Sequence, residues 1–421
     1  MSPAPFSLKR IAVPVFGPSL LFGLGEGAIL PVVALSVRDL GGSLAMAALV
    51  VTLIGVGSLL TNVPASLITA RHGERRAIVG AALWGALAMA VCLLATRLWV
   101  FAIGIFMVGM AAAVFGLARQ TYLTEAVPIH FRARALSTLG GVMRIGLFIG
   151  PFLGAALIHA SGLAGAYAVG VAALLLAAVL AYTLPDLPDA AGIAPDADAA
   201  GRGAGNPSSP AGHASAATPM AAPTLRAILV GHMTTFVTVG VGVMLISAVR
   251  ASRQVVIPLW AETIGLNAAV TSLIYGLSGA VDMLVFYPAG KLMDHKGRNW
   301  VAVPSMVIMG VALLLTPFTH GATTLLLVAL VIGFGNGLGS GLIMTLGADY
   351  SPPRGRAHFL GIWRLLSDIG STVGPALLSA VTAVVSLAAG IWSSGLLGLA
   401  AAALLWYWIP RTNTRLAYLF R

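Results

Sequence analysis

The chain has 421 residues, 58% of them hydrophobic and only 9% charged, with a mean hydropathy of +0.96. A water-soluble domain carries about 25% charged residues, so this composition excludes a soluble globular fold. The formal charge of +11 suggests a nucleic-acid binder only until the basic residues are located, and most of them fall at or beyond the ends of long apolar runs. Cys92 is the single cysteine, which excludes an intramolecular disulfide or a cysteine metal cluster.

Apolar runs of about 20 residues recur along the chain, each long enough to cross a ~30 Å hydrocarbon core as a helix. The first follows Lys9 and Arg10 and is too long for a cleaved leader, so it is expected to stay as a span. Twelve spans are predicted, at 11–36, 44–68, 77–96, 99–125, 134–160, 163–184, 226–262, 268–290, 299–317, 321–349, 357–384 and 387–410. The fold class is therefore an all-α polytopic membrane protein. Gly41, Gly73, Pro128 and Gly162 mark tight turns between the early spans. Residues 186–225 change to Ala, Gly, Pro and Ser without apolar periodicity, which predicts a flexible linker between a 1–185 half and a 226–421 half. The seventh run is too long for one crossing. Its start is expected either to extend beyond the membrane or to lie along it.

The two halves repeat one another. Gly73 and Gly297 are 224 residues apart, and the same spacing relates Gly41 to Gly265, Pro64 to Pro288, Glu125 to Asp349 and Arg132 to Arg356. It also relates Gly150 to Gly374 and Pro151 to Pro375. A constant offset without an insertion is an internal duplication. With both termini and the linker in the cytoplasm, Arg38 and Arg97 are the only basic loop residues left outside. That arrangement satisfies the positive-inside rule, and the net charge becomes a topology signal. No nucleic-acid partner is expected.

The stretch Gly290-Lys-Leu-Met-Asp294-His-Lys-Gly297-Arg298 resembles the loop signature of the major facilitator superfamily. Its front copy, Ser66 to Glu74, has Ala70 for the aspartate and Glu74 for the arginine, so the two loops should latch unequally. Glu125 to Arg132 and Asp349 to Arg356 are similar to the acid–Pro–Arg elements that follow spans four and ten in that superfamily. Gly146, Gly150, Pro151 and Gly154 in span five resemble the signature of its proton-driven drug antiporters. The arginine which that branch carries midway along span four is replaced by Ile105. The resemblance implies two six-helix halves that rock about a central cavity lined by spans one, four, seven and ten. It also implies basic loop residues paired with acids at neighbouring span ends, and Asp294 docked on the start of span five.

Eight ionisable residues fall well inside spans: Glu26, Arg119, Arg144, Arg250, Arg253, Asp282, Arg364 and Asp368. Each costs roughly 2.5–3.5 kcal/mol at mid-helix unless it pairs or meets water. Glu26 lies about 24 Å of helix rise beyond Arg10, near the midplane, and is the expected proton-coupling residue. Arg119, Arg250 and Arg253 are the expected substrate-cavity cations. Arg253 precedes Pro258 by the interval at which Glu26 precedes Pro31, which predicts an acid and a base at matching positions. Arg144 with Asp282, and Arg364 with Asp368, are expected interface or gating pairs. Trp260 and Trp363 are expected as interface anchors, with substrate stacking as the other reading.

These features predict a secondary transporter working by alternating access, with small-molecule substrate, protons and the lipid bilayer as partners. No ATP-binding loop or catalytic dyad occurs, so neither an enzyme nor a cofactor is expected. Efflux of small amphipathic molecules in exchange for protons is the leading expectation. Uptake of a small organic anion held by Arg250 and Arg253 is the alternative. A monomer in a bacterial inner membrane, with both termini cytoplasmic, completes the reading.

Overall fold

Twelve helical stretches among the described residues are long and apolar enough to cross a membrane. The structure, a computed structural model, describes residues 8–127, 129–184, 225–352 and 356–419. Spans one to six are α1 (Leu8–Asp39), α2 (Leu44–His72), α3 (Glu74–Leu94), α4 (Leu98–Ala126), α5 (Ile129–Ser161) and α6 (Ala164–Tyr182). Span eight is α10 (Ala268–Lys296), span nine α11 (Asn299–Leu315), span eleven α14 (Arg356–Val384) and span twelve α15 (Leu387–Leu419). The linker expected at 186–225 lies outside the described residues except for Leu225. The side chains of Asp294, Glu125, Arg132 and Arg356, and the whole of Pro128, lie outside them as well.

Two spans are broken. Span seven comprises α7 (Leu225–Gly231), α8 (Met233–Thr235), a π-helical turn (Phe236–Gly240) and α9 (Val241–Thr263), so its excess length is taken up by a break at His232. Span ten, expected to be continuous, consists of α12 (Ala322–Leu338) and α13 (Leu342–Tyr350). Between them Gly341 adopts φ +82°, a left-handed conformation that favours glycine.

The duplication is visible in the backbone. Gly41 and Gly265 turn at φ +81° and +78°, and Gly73 and Gly297 at φ +80° and +92°. Ser43 caps span two by accepting from Met46 N, and its repeat partner Asn267 caps span eight by accepting from Val270 N. Span one packs on span five, as span seven packs on span eleven. Glycines set both distances. A Cβ on Gly150 would collide with Leu24 O and sit 2.6 Å from Ala28 N. A Cβ on Gly374 would collide with Ala248 O. Small residues thus bring backbones together where lipid gives helices no hydrophobic reason to associate.

The halves meet along spans one and seven, two and eleven, and five and eight. We call the end bearing Gly41 and Gly265 the top, and the end bearing Gly73 and Gly297 the base. At the top Arg38 Nε donates to Glu262 Oε1 at 2.9 Å, and Ser379 Oγ donates to Ala45 O at 2.7 Å. Further down, Asn62 Nδ2 donates to Asp368 Oδ2 at 3.1 Å. At the base Arg298 forms a forked pair with Asp349, at 2.8 and 3.4 Å, within the second half. This is the loop-to-span-end pairing expected of the signature.

Candidate functional site

Between the halves lies a cavity of about 290 Å³. Glu26 enters it from span one, Arg144 from span five, Arg250, Arg253 and Gln254 from span seven, Tyr275 and Asp282 from span eight, and Asn336 and Ser340 from span ten. Each side chain is aimed by local packing. Gly27 beside Glu26 presses on span five, where an added Cβ would stand 2.6 Å from Leu147 O. Gly339, at the break in span ten, leaves room for the Arg250 guanidinium, which would lie 2.7 Å from a Cβ there.

One acid in the cavity is engaged through a single oxygen. Asp282 Oδ2 accepts from Arg253 Nη2 at 3.3 Å and from Asn336 Nδ2. The backbone carbonyl of Asn336 in turn accepts from Arg250 Nη2 at 3.3 Å. Asn336 therefore ties span ten to spans seven and eight through both its groups. The other charges are under-partnered. Arg250 Nε and Arg144 Nη1 are buried without a hydrogen-bond partner. Glu26 forms no hydrogen bond or ion pair among the described residues.

The structure redistributes several expected roles. Arg144 does not pair directly with Asp282; its guanidinium lies 4.4 Å from the Phe286 ring, and Arg253 takes the carboxylate instead. Arg144 does reach span eight across the interface, but at Phe286, one helical turn beyond Asp282. Arg364 and Asp368 do pair, at a loose 3.9 Å. Arg119 is not in the cavity. It sits inside the first half near Ser19 and Tyr122, with Nε and Nη1 unpartnered and its guanidinium 5.7 Å from the Phe115 ring. The residue matching Glu26 is Arg250 rather than Arg253, because the 224-residue offset holds through the outer ends of spans one and seven. The prolines that suggested Arg253 are three residues out of register.

Neither tryptophan stacks in the cavity. Trp260 Nε1 donates to Thr319 Oγ1 at 2.9 Å, and Trp363 Nε1 donates to Ile343 O at 2.9 Å. Gln254, Tyr275, Asn336 and Ser340 were not singled out from the sequence. The signal for two of them was present in Gly333-Phe-Gly-Asn336-Gly-Leu-Gly-Ser340-Gly341. A glycine-interrupted apolar run is a pointer to a broken helix at a transport site.

Residues 16–249 and 239–418 each match the family model described as Major Facilitator Superfamily. Over 150 residues the chain is 28% identical to "Uncharacterized MFS-type transporter YhjO" of Bacillus subtilis (strain 168), covering 35% of this chain and 37% of that relative. The fold is similar to the crystal structure of a bacterial homolog of the human lysosomal transporter Spinster in an inward-facing and unoccupied conformation. The TM-score is 0.74 at 14% identity, covering 96% of this chain and 97% of that one. It is also similar to a D-xylose-proton symporter, with a TM-score of 0.70 at 17% identity, covering 95% and 97%. The inward open xylose transporter XylE from E. coli gives 0.68 at 16% identity, covering 95% and 96%.

Proposed function

The chain belongs to the Major Facilitator Superfamily and is a multi-pass membrane transporter, and within that frame we propose that it carries a small organic anion together with a proton. The observation behind this reading is the charge content of the cavity. Three guanidiniums, of Arg144, Arg250 and Arg253, face two carboxylates, of Glu26 and Asp282. Arg253 and Asp282 neutralise each other. Arg144 and Arg250 remain, each with a vacant donor and neither hydrogen-bonded to a carboxylate. A carboxylate or phosphate group fits those donors.

The sign of the coupling follows from the same count. Unprotonated, Glu26 adds a negative charge to the cavity an anionic substrate would enter, and so opposes its binding. Protonation removes that repulsion, so proton and anion favour each other's binding, and linkage is reciprocal. Co-binding is the signature of symport, whereas exchange requires competition. Substrate then moves with the proton, into the compartment the proton enters. The ion pair and the hydrogen bond that join the halves at the top, with the similarity to inward-facing structures, support the reading that this conformation is closed at the top and loads or unloads at the base.

Size and core packing weigh against drug efflux. A cavity of about 290 Å³ lies at the lower edge of the roughly 300–1,000 Å³ range of small-molecule pockets. Ile105, standing where drug antiporters carry an arginine, is fully buried in apolar core.

The test is uptake of labelled monocarboxylates, dicarboxylates and lipophilic cations into proteoliposomes, with and without an imposed proton gradient. Gradient-stimulated movement of an anion in the direction of the proton, lost in Arg144→Gln and Arg250→Gln, is the expected result. Movement of cations against the proton, unaffected by either change, overturns the proposal.

A further inference from the structure

A second cavity, of about 390 Å³, lies in the first half between spans two, three and four, away from the central site. Spans two and three diverge from their tight turn at Gly73, and span four floors the opening. Ile68, Trp84 and Met110 line it, and Ile68 and Trp84 are exposed on the lipid-facing surface of the helices. Gly80 keeps it open: a Cβ there would meet nothing within 4 Å.

The mouth of this apolar groove, at the base, is cationic. His72 and Arg76 border it. His72 Nδ1 lies 3.1 Å from Ile68 O, which fixes the ring at the opening. Arg76 is exposed and has no hydrogen bond or ion pair among the described residues, whereas its neighbour Arg75 is committed to Tyr182 O at 2.7 Å. Arg71 adds a further exposed cation on the last turn of span two, against one acid, Glu74.

Arg76, Gly80 and Met110 correspond to Trp300, Pro304 and Phe334 in the second half. There Trp300 and Pro304 line a cavity of about 370 Å³ together with Asn299, Val303 and Trp406, and the counterpart of His72 is Lys296, whose Nζ lies 5.5 Å from the Trp300 ring.

We propose that this groove binds an anionic phospholipid, with an acyl chain along Ile68, Gly80, Trp84 and Met110 and the phosphate held between His72 and Arg76. The chemistry is hydrocarbon below and an arginine with an imidazole beside it at headgroup level, the arrangement by which basic clefts between membrane helices select anionic lipids.

Native mass spectrometry of the purified full chain, titrated with phosphatidylglycerol or with phosphatidylcholine of the same acyl chains, tests it. The wild type is expected to retain phosphatidylglycerol preferentially. Arg76→Gln should reduce that preference about fivefold, the order expected for one basic group at an anionic surface. Gly80→Phe should lower retention of both lipids by filling the groove, and an unchanged melting temperature verifies that it folds. Equal retention of the two lipids by the wild type overturns the assignment. So does loss in Gly80→Phe with no change in Arg76→Gln, which would mean an unselective apolar slot. A lipid-free dimer that Gly80→Phe dissociates would give the groove to a second copy of the chain and also overturn it.

Discussion

Arg38 and Glu262 occupy the same place in the two copies of the repeat, 224 residues apart, and they form an ion pair of 2.9 Å with each other. Equivalent positions can touch only near the axis that relates the halves. Two identical charges there would repel, so the copies have diverged to opposite signs. The same divergence recurs deeper. Glu26 and Arg250 are repeat partners and both line the cavity. Arg144 and Asp368 are partners too, one lying on Phe286 and the other accepting from Asn62, and Phe286 and Asn62 are themselves equivalent. The halves share a plan of contacts while exchanging the charges within it.

The Arg38–Glu262 pair is expected to hold the top closed with modest strength. Its side chains are 36% and 30% exposed, and pairs of that kind contribute up to about 1 kcal/mol. Glu262→Gln should therefore raise top-open excursions no more than about fivefold, while Glu262→Arg should raise them further by repulsion. Arg38→Glu combined with Glu262→Arg should restore the wild-type value. Labelling rates of Ser379→Cys in a Cys92→Ala background measure this. Identical rates in all four proteins would remove the pair from gating.

Glu26→Gln mimics the permanently protonated cavity. It should abolish acceleration of transport by a proton gradient while leaving exchange of substrate for substrate largely intact. Counterflow and gradient-driven uptake, compared on the same proteoliposomes, separate the two. Full gradient dependence in Glu26→Gln would transfer the proton site to Asp282 or Asp368.

Asp282 should couple energetically to Arg253 and much less to Arg144. Removing one member of a buried pair costs about 3–5 kcal/mol because the other charge is left uncompensated. A double-mutant cycle of Arg253→Gln with Asp282→Asn, read by thermal unfolding, should show an interaction above about 1 kcal/mol. The cycle of Arg144→Gln with Asp282→Asn should show a smaller interaction, because the two charges share the cavity without a direct contact. The reverse ranking would show that Arg144 is the true partner.

Gly150 should tolerate substitution less well than Gly154. A Cβ on Gly150 meets the backbone of span one at Leu24 and Ala28, which cannot give way, whereas one on Gly154 stands 3.1 Å from Ala28 O. Gly150→Ala is expected to destabilise by about 1–3 kcal/mol, the usual cost of overpacking, and Gly154→Ala by less. Melting temperatures in detergent decide it, and equal losses would mean that span one shifts freely.

The sequence alone determined the twelve spans, the duplication, the turn glycines and the set of intramembrane charges. These are local or periodic properties: a lipid-crossing helix must be apolar for about 20 residues, and a duplication leaves a constant offset. Whether Asp282 meets Arg253 or Arg144 was decided only by the tertiary structure. So was the placement of Arg119 outside the cavity, and the entry of Gln254, Tyr275 and Asn336 into it. Those outcomes depend on helix rotation and on approaches between backbones distant in the chain. Depth along a span can be counted from its end, but the face a residue presents is set by the neighbour against which its helix packs.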